Sequence, residues 1–409
     1  MKLLQVKSVE EVKEIIKNAF TDIDRYEEID LSYGLNRILG EDIYSAETLP
    51  PFARSSVDGY AVLASDTFGA GDTMPTFLQA LKEVEMGEEA PGIQMGETRY
   101  VPTGGMLPPL ANAVVMVEYT EKLGDQIMVY RQVAPGENVI NAGDDVKTGE
   151  LVMRKGVPLR EAELGALAAL GFNTVKVYTR PILGILSTGN ELVPPGEQEI
   201  KKGQIRDINS IILSSIAQKY GAQVIQGGIV GDDFPQILHR AEELLEKVDV
   251  LLLSGGSSVG TYDYTLQILQ KLSQNNMLVE GIGVKPGKPT LLAKQGNKGI
   301  WGLPGHPVSA MMIFNYFGKY MLNTLSGNIG NKHKKTLKAL LNRNIPSGAG
   351  RTDWIRVKVV ESDAGFQAVP VFGKSSLITT LVESQGFIEI PTQKEGLEAG
   401  TWVEIIFWD

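Results

Sequence analysis

Residues 249 to 264 read Asp-Val-Leu-Leu-Leu-Ser-Gly-Gly-Ser-Ser-Val-Gly-Thr-Tyr-Asp-Tyr, and this stretch limits the possible folds more than any other. Val250 to Leu253 is a short apolar run, the signature of a strand buried on both faces. It breaks into Ser254-Gly255-Gly256-Ser257-Ser258-Val259-Gly260, and a helical pattern follows from about Tyr264 to Leu272. The glycines let the backbone take left-handed angles and come close to a ligand. Ser257, Ser258 and a helix N-terminus then offer N–H and hydroxyl donors to an anion. Asp263 stands where the loop enters the helix, as an N-cap or as a functional acid. The loop is neither G-x-G-x-x-G nor a P-loop ending in Gly-Lys-Ser/Thr, so neither nucleotide fingerprint applies. The expectation is an oxyanion or phosphate site.

The same alternation extends from about residue 174 to 325. Ile182 to Leu186 reads as a strand ending in Ser187-Thr188-Gly189-Asn190-Glu191, and Ile208 to Tyr220 as a helix. Gln223 to Val230 is a strand ending in Gly231-Asp232-Asp233, and Pro235 to Lys247 a helix with proline near its start. Leu278 to Val284 leads into Lys285-Pro286-Gly287-Lys288-Pro289, and Lys298 to Leu303 into Pro304-Gly305-His306-Pro307 and a helix to about Leu322. Alternating strands and helices predict a doubly wound parallel sheet. Glu191, Asp232, Ser257, Asp263, Lys285 and Lys288 all follow the carboxyl ends of strands, the edge where such sheets bind ligands. Each alone reads as a cap or turn residue; together they mark a site. Lysines on a proline-stiffened loop supply charge for phosphate, and the acids suit a metal or a water to be oriented.

The rest of the chain reads as β-rich. Ser8-Val9-Glu10-Glu11 fits a capping box opening a helix through Phe20, and a short helix is expected near Tyr33 to Leu39. Leu49 to Val62, with two prolines and Asp58-Gly59, marks a tight turn into a strand. Residues 71 to 157 are rich in Gly, Pro and Thr with short β-like runs, Ala113 to Val117 and Gln126 to Val133 among them. A helix from Arg160 to Leu170, closed by Gly171, is expected to connect this part to the sheet. From Thr336 onward, short strands predict a small sheet or barrel; in Trp354 to Val360, Ile355, Val357 and Val359 take one face and Arg356 and Lys358 the other.

Composition narrows the chemistry. The 409 residues suggest two to four domains. No run approaches the ~18 apolar residues of a membrane span. The lysine- and glutamate-dense first 20 residues lack a signal-peptide core. The absence of cysteine excludes thiolate metal sites and fits a cytoplasmic home. With three histidines a zinc site is not expected, so a metal would be a hard cation, Mg²⁺ first. A net charge of −10 argues against nucleic acid.

Several stretches together resemble the molybdopterin molybdenumtransferase family, called MoeA in bacteria and related to the gephyrin E domain. They are Ser55-Ser56-Val57-Asp58-Gly59-Tyr60-Ala61-Val62, Pro102-Thr103-Gly104, Ser187 to Leu192, Gly203-Gln204-Ile205-Arg206-Asp207-Ile208-Asn209-Ser210, Ser254-Gly255-Gly256 through Asp263, Lys285 to Pro289 and Gly302 to Ser309. They run in order across almost the whole chain. Small departures are His306 where the family usually has Asn, Ser257 for Val, and Asn112 where Asp is common.

The resemblance implies a late step of molybdenum cofactor synthesis: insertion of molybdate into adenylylated molybdopterin with release of AMP, assisted by Mg²⁺. It implies catalytic Asp58, Glu191, Asp232 and Asp263, the last three also holding metal. It implies substrate binding by Thr103, Ser187, Thr188, Gly255, Gly256, Ser257, Ser258, Lys285, Lys288, Pro304, Pro307, Arg351 and Ser375. The expected domains are a helical connector (1–48 and 146–175), a β-rich domain (49–145), the α/β molybdopterin-binding domain (176–326) and a C-terminal β-barrel-like domain (327–409). A homodimer is implied, with the Asp58 segment facing the partner's α/β crevice, and a molybdopterin adenylyltransferase as pathway partner. The rival readings are an adenylyltransferase, which shares only the α/β domain, a CinA-like nicotinamide-nucleotide amidase, and a non-enzymatic gephyrin-like scaffold, which would need none of these acids and lysines.

Overall fold

Val250–Ser254 is buried along its whole length and sits inside a six-stranded sheet. In a computed structural model describing residues 6–255, 259–330, 335–363 and 365–408 (backbone only for 259–263), the order is Gln223–Val230, Ile182–Thr188, Val250–Ser254, Lys298–Leu303, Leu291–Gln295, Met277–Glu280. The first four strands pair in parallel. Leu291–Gln295 is antiparallel to both neighbours, so Met277–Glu280 runs with the parallel set again. The expected parallel sheet therefore carries one opposed strand, which the sequence pattern did not reveal. It is the first arm of a hairpin that turns at Gly296, whose φ of +58° suits glycine.

Each face of the sheet has its own core, as double winding requires. Val250 and Leu252 point to one, with Leu213, Ile216 and Ala217 of helix Asn209–Lys219. Leu251 and Leu253 point to the other, with Ile237, Ala241 and Leu244 of helix Phe234–Lys247 and Ile268 and Leu269 of Val259–Leu272. This is the two-residue period of a strand. Helix Phe234–Lys247 is capped by Asp233, which accepts from the Gln236 N–H, and has the expected proline at its start. The helix after the glycine-serine loop opens at Val259, five residues before the expected Tyr264, so residue 263 lies inside it and not at its cap.

The carboxy-terminal strands form a closed barrel. Thr352–Ser362 pairs with both Gly365–Pro370 and Gly386–Ile390, and Thr336–Leu341 and Trp402–Phe407 complete the ring. Ile355, Val357 and Val359 share its interior as expected. On the other face Lys358 is exposed, but Trp354 and Arg356 are buried, and Trp354 packs on Tyr316 with ring centroids 4.9 Å apart. Trp354, Phe387 and Ile406 thereby join the same core as Trp301 and Phe317 of the α/β part. Truncating Trp354 to alanine would cost about 3–5 kcal/mol and open that join.

The expected capping box is present, with Ser8 and Glu11 bonded reciprocally, and helix Val9–Ala19 buries Val9, Val12 and Ile16, followed by Phe20, in that core too. The expected helix near Tyr33 to Leu39 is only a 3-10 turn, Leu31–Tyr33. Asn36 has φ +61°, and Ile38 and Leu39 make β-bridges, which together exclude a helix there.

By internal contacts the chain divides into two compact units, one of Met1–Gly40, Gly156–Glu161 and Thr174–Asp409, the other of Glu41–Lys155 and Ala162–Asn173. The second unit holds its own six-stranded sheet, in the order Ala113–Met116, Gly59–Val62, Glu97–Val101, Thr76–Ala80, Gln126–Val129, Thr120–Leu123. Its core gathers Val62, Leu78, Val115 and Ile127. Gly59 is required by packing, since a Cβ there would lie 2.1 Å from the Val115 carbonyl oxygen. Among the described residues no helix is long and apolar enough to cross a membrane.

Candidate active site

The carboxyl ends of Ile182–Thr188, Val250–Ser254 and Lys298–Leu303 lie side by side, because these strands are parallel neighbours. Their loops touch. A Cβ on Gly255 would fall 2.0 Å from Thr188 Oγ1, so this glycine serves loop-to-loop packing; its φ is not in the left-handed region. Thr188 is buried, and Ser187 more so at 1% exposure, with its hydroxyl donating to Asp207 at 2.6 Å. Asn190 and Asp232 bridge two adjacent loops: the Asn190 N–H donates to Asp232 Oδ2 at 3.3 Å, and the Asp232 N–H to Asn190 Oδ1 at 3.0 Å. Glu191 is exposed, its carboxylate lying against Gly189.

Among the described residues no three acid or histidine side chains gather as a metal site. Glu191 and Asp232 stand on neighbouring loops, which leaves two carboxylates on one edge for a hard cation. Gly256, Ser257 and Ser258 lie outside the described residues, as does the side chain of Asp263.

The lysine loop is anchored from two sides. Val284–Lys285 leaves the α/β sheet, ending the expected strand at Glu280, and pairs in parallel with Thr352 and Asp353 of the barrel. The Gly287 carbonyl accepts from the buried Thr290 hydroxyl at 2.7 Å, and Lys288 O from the Ile282 N–H at 3.0 Å. A side chain on Gly287, at φ +115°, would strike Ile313. The rigidity expected from Pro286 and Pro289 thus comes largely from backbone pairing that joins two parts of the chain.

That loop forms one wall of a cavity of about 880 Å³. Lys285, Lys288, Pro304 and His306 line it from the α/β side; Arg351, Asp353, Arg356, Lys374 and Ser375 line it from the barrel. Among the described residues five cations face one acid, and that acid is engaged: Asp353 Oδ1 accepts from Arg351 Nε at 2.8 Å. Burial pushes the Arg356 guanidinium below the ordinary arginine value. Its Nη2 donates to the Gly373 carbonyl at 3.0 Å, while among the described residues Nε has no hydrogen-bond partner. His306 Nδ1 and Ser375 Oγ are hydrogen-bonded at 2.9 Å, and the Val308 N–H donates to Ser375 O at 3.2 Å, stapling the barrel loop to helix Pro307–Ile313. Within an acidic chain this cavity is built for an anion.

Of the residues singled out in the sequence, Lys285, Lys288, Pro304, Arg351 and Ser375 share this cavity. Pro307 heads the adjoining helix, and Ser187, Thr188, Glu191, Asp232 and Gly255 lie on strand ends. Asp58 and Thr103 meet in the second unit, where Asp58 Oδ1 accepts from both the N–H and the hydroxyl of Thr103. Arg356, Asp353 and Lys374 escaped the sequence reading. Arg356 alternates with apolar residues and so resembles a solvated face.

Residues 7–171 match the MoeA N-terminal region (domain I and II), residues 184–324 a family described as "Probable molybdopterin binding domain", and residues 338–408 the MoeA C-terminal region (domain IV). A Methanocaldococcus jannaschii protein named for molybdopterin biosynthesis is 35% identical, over 98% of each chain. A Haemophilus influenzae molybdopterin molybdenumtransferase is 32% identical, over 93% of each chain. The crystal structure of a molybdopterin biosynthesis MoeA protein from Pyrococcus horikoshii has a TM-score of 0.85 and 33% identity, covering 98% of this chain and 100% of that one.

Proposed function

The chain belongs to the MoeA family and serves a late step of molybdenum cofactor biosynthesis, and from that premise we propose that it inserts molybdenum from molybdate into adenylylated molybdopterin with release of AMP. The observation that carries this reading is the cavity where Lys285 and Lys288 face Arg351 and Ser375. A substrate joined through a pyrophosphate, and a molybdate anion, both need concentrated positive charge, and the cavity supplies it. Charged donors bind such oxygens about twice as strongly as neutral ones.

The chain's own groups divide the work. Lys285, Lys288 and Arg351 hold anionic oxygens, while Thr188 and Gly255 shape the neighbouring strand-end loops. Glu191 and Asp232, with Asp263, would hold a Mg²⁺ ion, which when bound neutralises phosphate charge. The dithiolene sulfurs come with the substrate, so a chain without cysteine is suited to the reaction. The protein acts as a homodimer in the cytoplasm, taking its substrate from a molybdopterin adenylyltransferase, and the Asp58 segment completes the partner's site.

Purified protein incubated with adenylylated molybdopterin, Mg²⁺ and molybdate should release AMP only when molybdate is present. AMP formation indifferent to molybdate would refute the transferase reading. Co-expressed Asp58→Ala and Asp263→Ala chains test the shared site: each alone is inactive, and random isologous mixing leaves about a quarter of all sites intact. Background activity in isolated mixed dimers would show that Asp58 acts within its own chain.

A further inference from the structure

The segment Gly203 to Ser210 carries none of the residues assigned above, yet it reaches three of the strand ends of the site. Its Ile205 N–H donates to the Glu191 carbonyl at 2.8 Å, and the Asp207 N–H to the Val193 carbonyl at 2.9 Å. These two bonds hold the loop on which Glu191 sits. The Asp207 side chain, 4% exposed, uses both oxygens: Oδ2 accepts from Ser187 Oγ at 2.6 Å and Oδ1 from the Ser210 N–H at 3.1 Å. The Asn209 side chain, 8% exposed, donates through Nδ2 to Ser254 Oγ at 2.9 Å and to the Gly305 carbonyl at 2.8 Å.

Ser187, Ser254 and Gly305 close three parallel neighbours, Ile182–Thr188, Val250–Ser254 and Lys298–Leu303. Sheet hydrogen bonds fix the strands themselves but not the loops beyond them. Side chains from one turn fix those loops here, and they fix them to a common body, the start of helix Asn209–Lys219. The arrangement has a cost: among the described residues Asn209 Oδ1 is buried without a partner. An unsatisfied buried carbonyl is expensive, and an apolar residue or serine would avoid it. What Asn209 gives in exchange is the two bonds that Nδ2 makes.

We propose that Asp207 and Asn209 are positioning residues for substrate binding, a clamp that sets the spacing of the Thr188, Gly255 and Pro304 loops around the anionic ligand. Neither touches the ligand. The proposal rests on the molybdenumtransferase reading for the identity of that ligand. It also assigns Ser187 a role different from a phosphate donor, because its hydroxyl hydrogen is committed to Asp207. Displacing a substrate-holding loop by even ~1 Å is enough to cost up to ~100-fold in efficiency.

Asn209→Ala and Asp207→Asn should raise KM for adenylylated molybdopterin about tenfold or more, in the molybdate-dependent AMP assay. Dissociation constants for AMP, measured by calorimetry without turnover, should rise in parallel. Leu213→Ala removes a fully buried side chain of the same helix and is the control: it should lower thermal stability at least as much while leaving KM and AMP affinity near wild type. Ser254→Ala combined with Asn209→Ala should be little worse than Asn209→Ala alone, since the Asn209–Ser254 bond is already lost in the single variant. If the Asn209 and Asp207 variants keep wild-type KM and AMP affinity, or if Leu213→Ala shifts KM equally, the clamp is refuted while the activity stands. A wild-type protein that binds AMP through an intact clamp but releases none from the adenylylated substrate would instead remove the transferase reading and leave the clamp in place.

Discussion

Asp58 and Thr103 are 45 residues apart, yet Asp58 Oδ1 accepts both the Thr103 N–H at 2.7 Å and the Thr103 hydroxyl at 3.0 Å. The carboxylate is therefore aimed by a turn on another segment, and among the described residues its second oxygen accepts no hydrogen bond. The threonine hydrogen is committed to Asp58, so toward a ligand Thr103 Oγ1 can only accept. Thr103→Val keeps the shape and the N–H bond but removes the hydroxyl. If Asp58 takes part in catalysis, this variant should turn over roughly tenfold more slowly, as expected for losing one hydrogen bond to a charged group. Asp58→Asn should fall much further, with both proteins melting near the wild-type temperature. Unimpaired Thr103→Val would show that the hydroxyl does not aim the acid.

Asp263 can be tested without ambiguity from capping. The helix runs Val259–Leu272, so residue 263 is in its second turn, where a side chain cannot cap the first N–H groups. Asp263→Asn should change stability by well under ~1 kcal/mol, less than the loss of a cap. Turnover should drop by orders of magnitude while AMP still binds. Near-normal turnover would remove Asp263 from the chemistry.

The parts of this protein that were legible in its sequence are those governed by local rules. Ser8 and Glu11 announce a capping box within four residues, and Val250 to Leu253 announces a buried strand by its own apolarity. What escaped depends on partners far away in the chain. Val284–Lys285 looks like the end of a sheet strand until Thr352 and Asp353 take up its pairing. Arg356 looks solvated until the barrel turns it toward the α/β part, and Asn209 looks like a helix-start residue until Ser254 and Gly305 arrive beside it. The candidate site was legible from the residues as a set of strand ends; the barrel's share in it entered only through the family resemblance, which implied Arg351 and Ser375 but not Asp353, Arg356 or Lys374.

Lys285 and Lys288 face each other's charge as well as Arg351, Arg356 and Lys374 across the cavity. Such crowding favours the binding of an anion. Replacing either lysine with alanine should weaken binding of the adenylylated pterin by about 1.5–3 kcal/mol, the range for a charged hydrogen bond. The loss should shrink between low and high salt, because an open cavity is partly screened. Binding titrations at two ionic strengths measure both effects, and unchanged affinity at low salt would rule out the role.

Tyr316 joins the barrel to the α/β part, and its burial, with Glu389 close by, pushes its phenol well above the ordinary tyrosine range. In the unfolded chain the same group ionises near pH 10. Below that value both states keep the proton and the contribution to stability is complete. Above it the unfolded chain loses the proton and the native protein keeps it, so stability must fall as pH rises. One such group contributes a slope of about 1.4 kcal/mol per pH unit. Tyr316→Phe cannot ionise in either state. Urea unfolding from pH 9 to 11 should show a shallower alkaline decline for this variant, alongside a lower stability at neutral pH from the lost contact with Glu389. Identical slopes in wild type and Tyr316→Phe would mean that the phenol ionises while still in the folded protein.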